Sequence, residues 1–185
     1  MRWIRIAAYL LCASIIRVPG AWANMPDDAR RAKRIESLYC TLLLDPELDV
    51  ASVNRRISVQ WIPLGTVRPA SPSTPEQELA GKMDVLFRRV QEVLEMRPPS
   101  AHVTIYVKKS TDGVQAAHNA CYGTGTPAIA FYIFEDNAIY ASVGRLSEEV
   151  IAHEMAHCIM DHFFGMRPPR QMEEMMAVYA TEKLR

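Results

Sequence analysis

The alternation of hydrophobic and polar positions divides the second half of the chain into regularly spaced elements. Apolar residues recur at helical spacing through residues 76–96, after a threonine and a proline that are typical of a helix start. Strict alternation predicts a strand over residues 102–108, and a helix is predicted over residues 110–120. Two further strands are predicted at residues 128–134 and 138–143.

Two helices are predicted at the end of the chain. The first begins at Ser147 and runs through Phe164, where Gly165 is a typical C-terminal stop. The second spans about residues 170–183 and follows a pair of prolines. Because the connection is short, we expect a helical hairpin that packs the second helix against the first.

The first half of the chain is less regular. Apolar residues at helical spacing predict a helix over residues 27–44, and alternation predicts a strand over residues 57–62. Prolines then punctuate a linker over residues 63–75. We therefore expect an α+β fold in which a small mixed or antiparallel sheet packs on helices, with residues 24–75 as an N-terminal segment and residues 76–185 as the main domain.

Residues 1–23 have the pattern of a secretory signal peptide. A basic start precedes an apolar stretch over residues 6–16, which is too short to span a bilayer, and Ala-Trp-Ala ends the segment. We expect cleavage after Ala23 and export of the mature chain, either to a periplasm or out of the cell. No lipid anchor is expected, because the residue before Cys12 is a leucine and not a small residue.

Composition and charge exclude two classes of protein. The chain has 185 residues and is 49% hydrophobic and 23% charged, which is ordinary for one globular domain and wrong for a disordered chain. It holds 21 basic and 21 acidic residues, and removing the three arginines of residues 1–23 leaves 18 basic residues and a net charge of −3. A general nucleic-acid binder needs a basic surplus, so no nucleic-acid partner is expected.

Three cysteines remain in the mature chain, Cys40, Cys121 and Cys158. An odd number leaves at least one thiol unpaired in an oxidising compartment. Cys158 lies within an apolar helix and is expected to be a small buried hydrophobe. Cys40 with Cys121 is the favoured disulfide, although sequence alone does not determine the pairing.

The first of the two C-terminal helices carries the candidate chemistry, His153-Glu154-Met155-Ala156-His157. Four residues advance a helix by about 400°, so the imidazoles of His153 and His157 lie one above the other and can bind one Zn2+. Glu154 is one step around the helix and can reach a water on the metal without being a ligand. The apolar flanks of the motif indicate a buried helix, in which unpartnered imidazoles would be costly.

A catalytic zinc site requires a third protein ligand. The candidates by position are Asp161, His162, Glu173 and Glu174. His162 is about 140° around the helix from His157 and points away from it. Asp161 lies too far along the axis to join the ion, and it is expected to be either a solvated acid at the helix end or a carboxylate that hydrogen-bonds His157. Glu173 and Glu174 lie on the next helix, which the hairpin brings back toward the motif.

The motif and the helix after it resemble the gluzincin branch of the zincin metallopeptidases. Residues 169–179, PRQMEEMMAVY, are similar to that family's proline followed by E-G-L-A-x-Y, with Met175 in place of the usual glycine. By this resemblance Glu174 is the third ligand and Glu173 is its exposed neighbour. The metzincin branch fits worse, because the glycine and the histidine that it has after His157 are missing.

The resemblance covers about residues 100–185 and implies a minimal zincin-like domain. In that family an edge strand before the zinc helix pairs with extended peptide, and the resemblance assigns this role to residues 138–142. It also implies a peptidase in which zinc, held by the two histidines and Glu174, lowers the pKa of a bound water. Glu154 is then the general base that takes the proton.

The resemblance does not determine the oxyanion donor or the function. A donor that stabilises the oxyanion is expected, with His118, Tyr122, Tyr140 and Tyr179 as candidates. The function also has two alternatives, a catalytically idle zinc-binding module of zincin fold and a metal-free interaction protein. Glu154 favours a peptidase with a peptide or protein substrate, because a structural site needs no base and usually closes with four protein ligands.

Overall fold

The computed structural model describes residues 31–59, 74–123 and 127–184, which contain five strands, five α-helices and one 3-10 turn. The strands are β1 Lys33–Glu36, β2 Cys40–Leu44, β3 Val103–Lys108, β4 Ala130–Ile133 and β5 Ala138–Ser142. The helices are α1 Val50–Asn54, α2 Pro75–Leu94, α3 Thr111–Tyr122, α4 Glu148–Phe164 and α5 Arg170–Lys183, and the 3-10 turn is Val143–Arg145. The predicted α+β class is confirmed.

The five described strands form one mixed sheet in the order β1-β2-β3-β5-β4. Strands β2, β3 and β5 are parallel, with Leu42 beside Ile105 and Ile105 beside Ile139. Strands β1 and β4 run antiparallel to their neighbours and form the two edges of this sheet. The prediction that residues 138–142 form the edge strand is therefore wrong. Strand β4 precedes β5 in the sequence and forms the edge of the sheet. The turn after β4 reverses the chain and places β5 between β4 and β3.

The main core lies on one face of the sheet, between the sheet and helices α2, α4 and α5. Val103, Ile105 and Val107 point into it and are fully buried, while the residues between them in β3 are partly exposed. The apolar stripe predicted for α2 packs on the same core. This alternation in β3 and the helical periodicity in α2 are the patterns from which both elements were predicted.

A smaller aromatic cluster covers the opposite face of the sheet. Tyr140 stacks between Tyr106 and Phe131, with ring centroids 4.5 and 5.2 Å away. Helix α3 lies over this cluster and contributes Val114, which is fully buried. The sheet therefore separates the α3 side of the molecule from the α4 side.

Local signals set the ends of the long helices. The Thr74 hydroxyl accepts the N–H of Gln77 at the start of α2, and the Ser147 hydroxyl accepts the N–H of Val150 at the start of α4. Helix α4 ends at Gly165, whose φ of 65° is in the left-handed region that favours glycine. None of the helices in the described ranges is long and apolar enough to cross a membrane.

The predicted helix over residues 27–44 is wrong. Residues 33–44 form the antiparallel pair β1 and β2, and the Asp84 carboxylate accepts two backbone N–H groups in the turn between them, at 3.1 and 3.2 Å. Every residue of β2 is buried, so the strand lacks the in-and-out alternation that marks a half-exposed strand. Residues 27–30 lie outside the described ranges.

Residues 57–59, the start of the predicted strand over 57–62, are irregular backbone. They leave α1 with the N–H of Ile57 bonded to the Asn54 carbonyl at 3.3 Å, and the Ile57 side chain is buried. The alternation of Ile57 and Val59 therefore reflects packing against the core without strand pairing. The rest of that strand, residues 63–73 of the linker and the signal peptide lie outside the described residues.

The three described cysteines are free thiols. Cys40 lies in the main core and is fully buried, whereas Cys121 is exposed at the end of α3, which covers the other face of the sheet. The expected disulfide between them is therefore not formed. Cys158 is fully buried, as predicted for a small hydrophobe.

Candidate metal centre

His153 and His157 present adjacent imidazoles on one face of α4. Their Nε2 atoms are 3.3 Å apart, and their side chains are 26% and 11% exposed. The residues between and beside them, such as Ala152 and Ala156, are fully buried in the core. The packing of α4 therefore fixes the direction in which both imidazoles point.

Glu174 of α5 completes a group of three possible ligands. One carboxylate oxygen lies 3.4 Å from Nε2 of His153, and the other lies 4.0 Å from Nε2 of His157. One ligand atom from each residue lies within 4.8 Å of the others. A tetrahedral ion with bonds of about 2.0–2.1 Å, as zinc has to nitrogen and oxygen, requires ligand atoms about 3.3–3.4 Å apart. Two of the three measured separations already have this length.

The environment of His157 keeps its imidazole neutral. Burial and the neighbouring His153 lower the pKa of His157 to about 4, and the positive charges of Arg167 and Arg170 act in the same direction. The carboxylate of Glu174 opposes these effects but does not cancel them. A neutral imidazole offers the lone pair that a metal ion needs, so protons compete little for this nitrogen near pH 7.

Glu154 is buried beside the histidine pair and is 9% exposed. Burial and the charge of Glu174 raise the pKa of Glu154 to about 8, and a hydrogen bond from the backbone of Tyr132 acts in the opposite direction. Tyr132 belongs to the edge strand β4, so this carboxyl group lies where the edge strand meets α4. A carboxyl group with a pKa near neutral can both accept and release a proton.

The structure does not bring Asp161 or His162 into the group. His162 turns back along α4, with Nδ1 2.8 Å from the Cys158 carbonyl oxygen, which agrees with the prediction that it points away. Asp161 is 5% exposed and lies beside the hydroxyl group of Tyr132. Both expectations for it, a solvated acid at the helix end and a hydrogen bond to His157, are therefore wrong. Asp161 lies one helical turn beyond His157, which places its carboxylate out of reach of the imidazole.

Glu173 is not the exposed neighbour that was expected. It is 3% exposed and accepts a hydrogen bond from Nε of Arg167 at 3.2 Å, while the side chain of Glu174 is 49% exposed. Consecutive helical residues differ by about 100°, and Glu173 shares its stripe with the buried Ala177 and Ala180. That spacing was readable in the sequence and would have identified Glu173 as the inward residue.

The candidate oxyanion donors do not face the group. Tyr140, Tyr122 and His118 all pack with Phe131 in the aromatic cluster on the opposite face of the sheet. Tyr179 is exposed on α5, about 140° around the helix from Glu174. Two cations that act on His157, Arg167 and Arg170, were not among the candidates, because no local sequence pattern places them near a histidine.

An open depression of about 580 Å³ lies beside Glu174 on α5. It is lined by Arg170, Gln171, Glu174, Met175 and Val178. Met175 and Val178 are 67% and 47% exposed, so apolar surface reaches the edge of the candidate metal group. A solvent-accessible group with apolar surroundings is suited to binding a ligand or a partner.

The observations define an α+β domain with a His-His-Glu group carried by two packed helices. No family model, curated protein or solved structure matches this chain. Any statement of function therefore rests on the residues and their geometry.

Proposed function

We propose that this chain is an exported zinc-dependent metallopeptidase of the gluzincin type. The observation that carries the proposal is the convergence of His153 and His157 from α4 with Glu174 from α5. These residues are far apart in sequence, yet two of their three separations match the edge of a zinc tetrahedron, about 3.3–3.4 Å. The export part of the proposal comes from the signal-peptide pattern alone.

The donor set favours a catalytic ion over a structural one. Two imidazole nitrogens and one carboxylate oxygen are the ligands of many catalytic zinc sites, which keep a fourth position open for water. When bound, zinc supplies Lewis acidity that lowers the pKa of this water and polarises a carbonyl group. Glu174 is half exposed, so the open side of the group faces solvent and substrate.

Glu154 is the residue to which we assign proton transfer. It is buried next to the ligands, and its pKa of about 8 applies to the metal-free site. A metal cation bound beside it would lower this pKa and so favour the carboxylate form, which takes a proton from water and passes it to a leaving amine. The edge strand β4 runs beside it and carries the backbone of Tyr132 that contacts Glu154. A sheet edge can add an extended peptide as a further strand, so we place the peptide along β4 and not along β5.

A second function, an idle zinc-binding or interaction module, is favoured by one observation. Helix α5 exposes four large apolar side chains, Met172, Met175, Val178 and Tyr179. Exposed apolar surface of this kind is common at protein interfaces. It fits a peptide substrate equally well, and an idle module has no need of Glu154 as a base.

The test uses the mature chain, residues 24–185, with zinc analysis and a peptide-library cleavage assay. We expect one zinc per chain and cleavage by the wild type. Glu154→Gln should keep the zinc and lose cleavage, because the amide cannot take a proton. The matched control is Glu182→Gln, an exposed carboxylate on α5, which should keep both properties.

Each contrary result has a distinct meaning. Zinc well below one per chain would remove the metal hypothesis. Zinc without cleavage by the wild type would favour the idle module, and equal cleavage by Glu154→Gln would overturn the role of Glu154.

A further inference from the structure

The loop and helix next to Glu174 contain an ion pair that the proposed chemistry does not use. Nε of Arg167, in the connection between α4 and α5, lies 3.2 Å from a carboxylate oxygen of Glu173. The Glu173 side chain is 3% exposed and the Arg167 side chain is 50% exposed. The buried partner is thus the residue directly before the third candidate ligand.

Glu173 needs a cation because it is buried close to a second acid. Asp161 of α4 is also buried, and one of its carboxylate oxygens has no hydrogen-bond partner among the described residues. The charge of Glu173 acts on Asp161, and Arg167 acts on both acids. A buried carboxylate that loses its counter-charge is strongly destabilising.

We infer that Arg167 is a positioning residue for Glu174, an inference that rests on the proposed zinc site. Without Arg167, the buried carboxylate of Glu173 is more stable when it is turned toward water. Helix α5 can expose this carboxylate only by rotating or moving away from α4. Glu174 follows Glu173 by one residue on the same helix, so any such movement carries its carboxylate away from His153 and His157. Arg167 therefore acts through Glu173 and does not touch the metal.

The direct effect of the positive charge of Arg167 on zinc affinity is opposite in sign to the inferred positioning effect, so an experiment can separate the two. Arg167 and Arg170 both lower the pKa of His157, so both positive charges act on the ligand group. A nearby cation repels a metal ion, and removing it without any structural change should tighten metal binding. Arg170 has no ion pair within the described part of the chain, so Arg170→Met is the matched control.

The experiment measures zinc affinity by chelator competition in wild type, Arg167→Met, Arg170→Met, Glu173→Gln and the double variant Arg167→Met/Glu173→Gln. Arg167→Met should weaken zinc binding about 10- to 100-fold, as loss of outer residues around metal sites does. Arg170→Met should bind zinc equally or more tightly. Glu173→Gln and the double variant should stay within about threefold of wild type, because the neutral glutamine needs no counter-charge. In the double variant Asp161 loses the repulsion of Glu173 together with the attraction of Arg167, and the two changes oppose each other.

A second readout separates positioning from general stability. The visible absorption of the Co2+-substituted protein reports the ligand geometry, and circular dichroism reports folding. We expect Arg167→Met to be folded with an altered Co2+ spectrum, and Arg167→Lys to recover most of the wild-type spectrum because lysine restores the charge. If Arg167→Met does not fold, the double variant must fold and bind zinc as wild type for the inference to stand.

The possible failures are distinguishable. If wild type binds zinc and Arg167→Met binds it equally well, the positioning role is wrong and the proposed zinc site remains. If the double variant binds zinc as weakly as Arg167→Met, Arg167 does not act on Glu174 through Glu173, and the inference also fails. If wild type binds neither zinc nor Co2+, the proposed function fails and the inference falls with it.

Discussion

The two helices that carry the candidate ligands are held in different ways. Helix α4 lies within the core, and its buried residues are Ile151, Ala152, Glu154, Met155, Ala156, Cys158, Ile159, Met160 and Asp161. Helix α5 is buried only along one stripe, at Glu173, Ala177 and Ala180. Its outer face is open to solvent, and Met175 there is 67% exposed.

This difference separates the site into a fixed half and a dependent half. The two histidines are oriented by a helix that many buried side chains hold in place. Glu174 is oriented by a helix that rests on a few small residues and one ion pair. Elements with few buried contacts open at lower free energy than the core, so Glu174, the third candidate ligand, is the part of the site that small changes can displace.

The largest effect is expected from the ligands themselves. His157→Gln and Glu174→Gln should each weaken zinc binding more than the loss of an outer residue, which typically costs about 10- to 100-fold, because each removes a proposed ligand. His162→Ala, on the same helix but outside the group, is the control and should keep wild-type affinity. Chelator competition measures all three.

The same two variants should differ when no metal is present. Glu174 is half exposed, so Glu174→Gln should change the free energy of unfolding by no more than about 0.5 kcal/mol. His157 is 11% exposed within the fixed half, and its replacement should cost more stability. Urea unfolding in the presence of a chelator tests this, and equal losses would contradict the division into two halves.

A smaller effect is expected from crowding the contact between the helices. Ala177 of α5 is fully buried, and Ala177→Leu adds a side chain for which the contact has no room. We expect a loss of about 1–3 kcal/mol in the free energy of unfolding, with weaker zinc binding because α5 moves outward. Val178→Leu, at the next position but 47% exposed, is the control and should change neither quantity. Wild-type zinc affinity in Ala177→Leu would show that Glu174 does not depend on this contact.

Local sequence signals predict both helices of the site well. The predicted helices at 147–164 and 170–183 agree with α4 and α5 to within one residue. Ser147 as cap and Gly165 as stop each act through hydrogen bonds to their own helix, so the sequence near them is sufficient. The His-x-x-x-His spacing predicts the pair for the same reason.

Features that depend on distant residues were not predictable in this way. Strand β2 owes its strand conformation to β3, whose Ile105 pairs with Leu42 across a long stretch of chain. Its buried apolar residues fit a helical pattern and a buried strand equally, and the sequence near them does not decide. The order of β5 and β4 in the sheet and the pairing of Arg167 with Glu173 are likewise set by tertiary packing.

The last expected effect is a pH dependence of stability at Asp161, on the fixed side of the contact between α4 and α5. Burial and the charge of Glu173 raise the pKa of Asp161 from 3.8 to about 6. The folded protein therefore binds more protons than the unfolded chain between about pH 4 and pH 6, and this residue destabilises the fold increasingly as the pH rises through that window. Asp161→Asn should match wild type below about pH 4 and be more stable by up to about 3 kcal/mol above about pH 6. Urea unfolding across this range measures the difference, and Asp136→Asn, at an exposed turn, should show no such pH dependence. If Asp161→Asn is instead less stable at neutral pH, the charged carboxylate is needed beside Arg167, and the contact between the two helices depends on both acids and not on Glu173 alone.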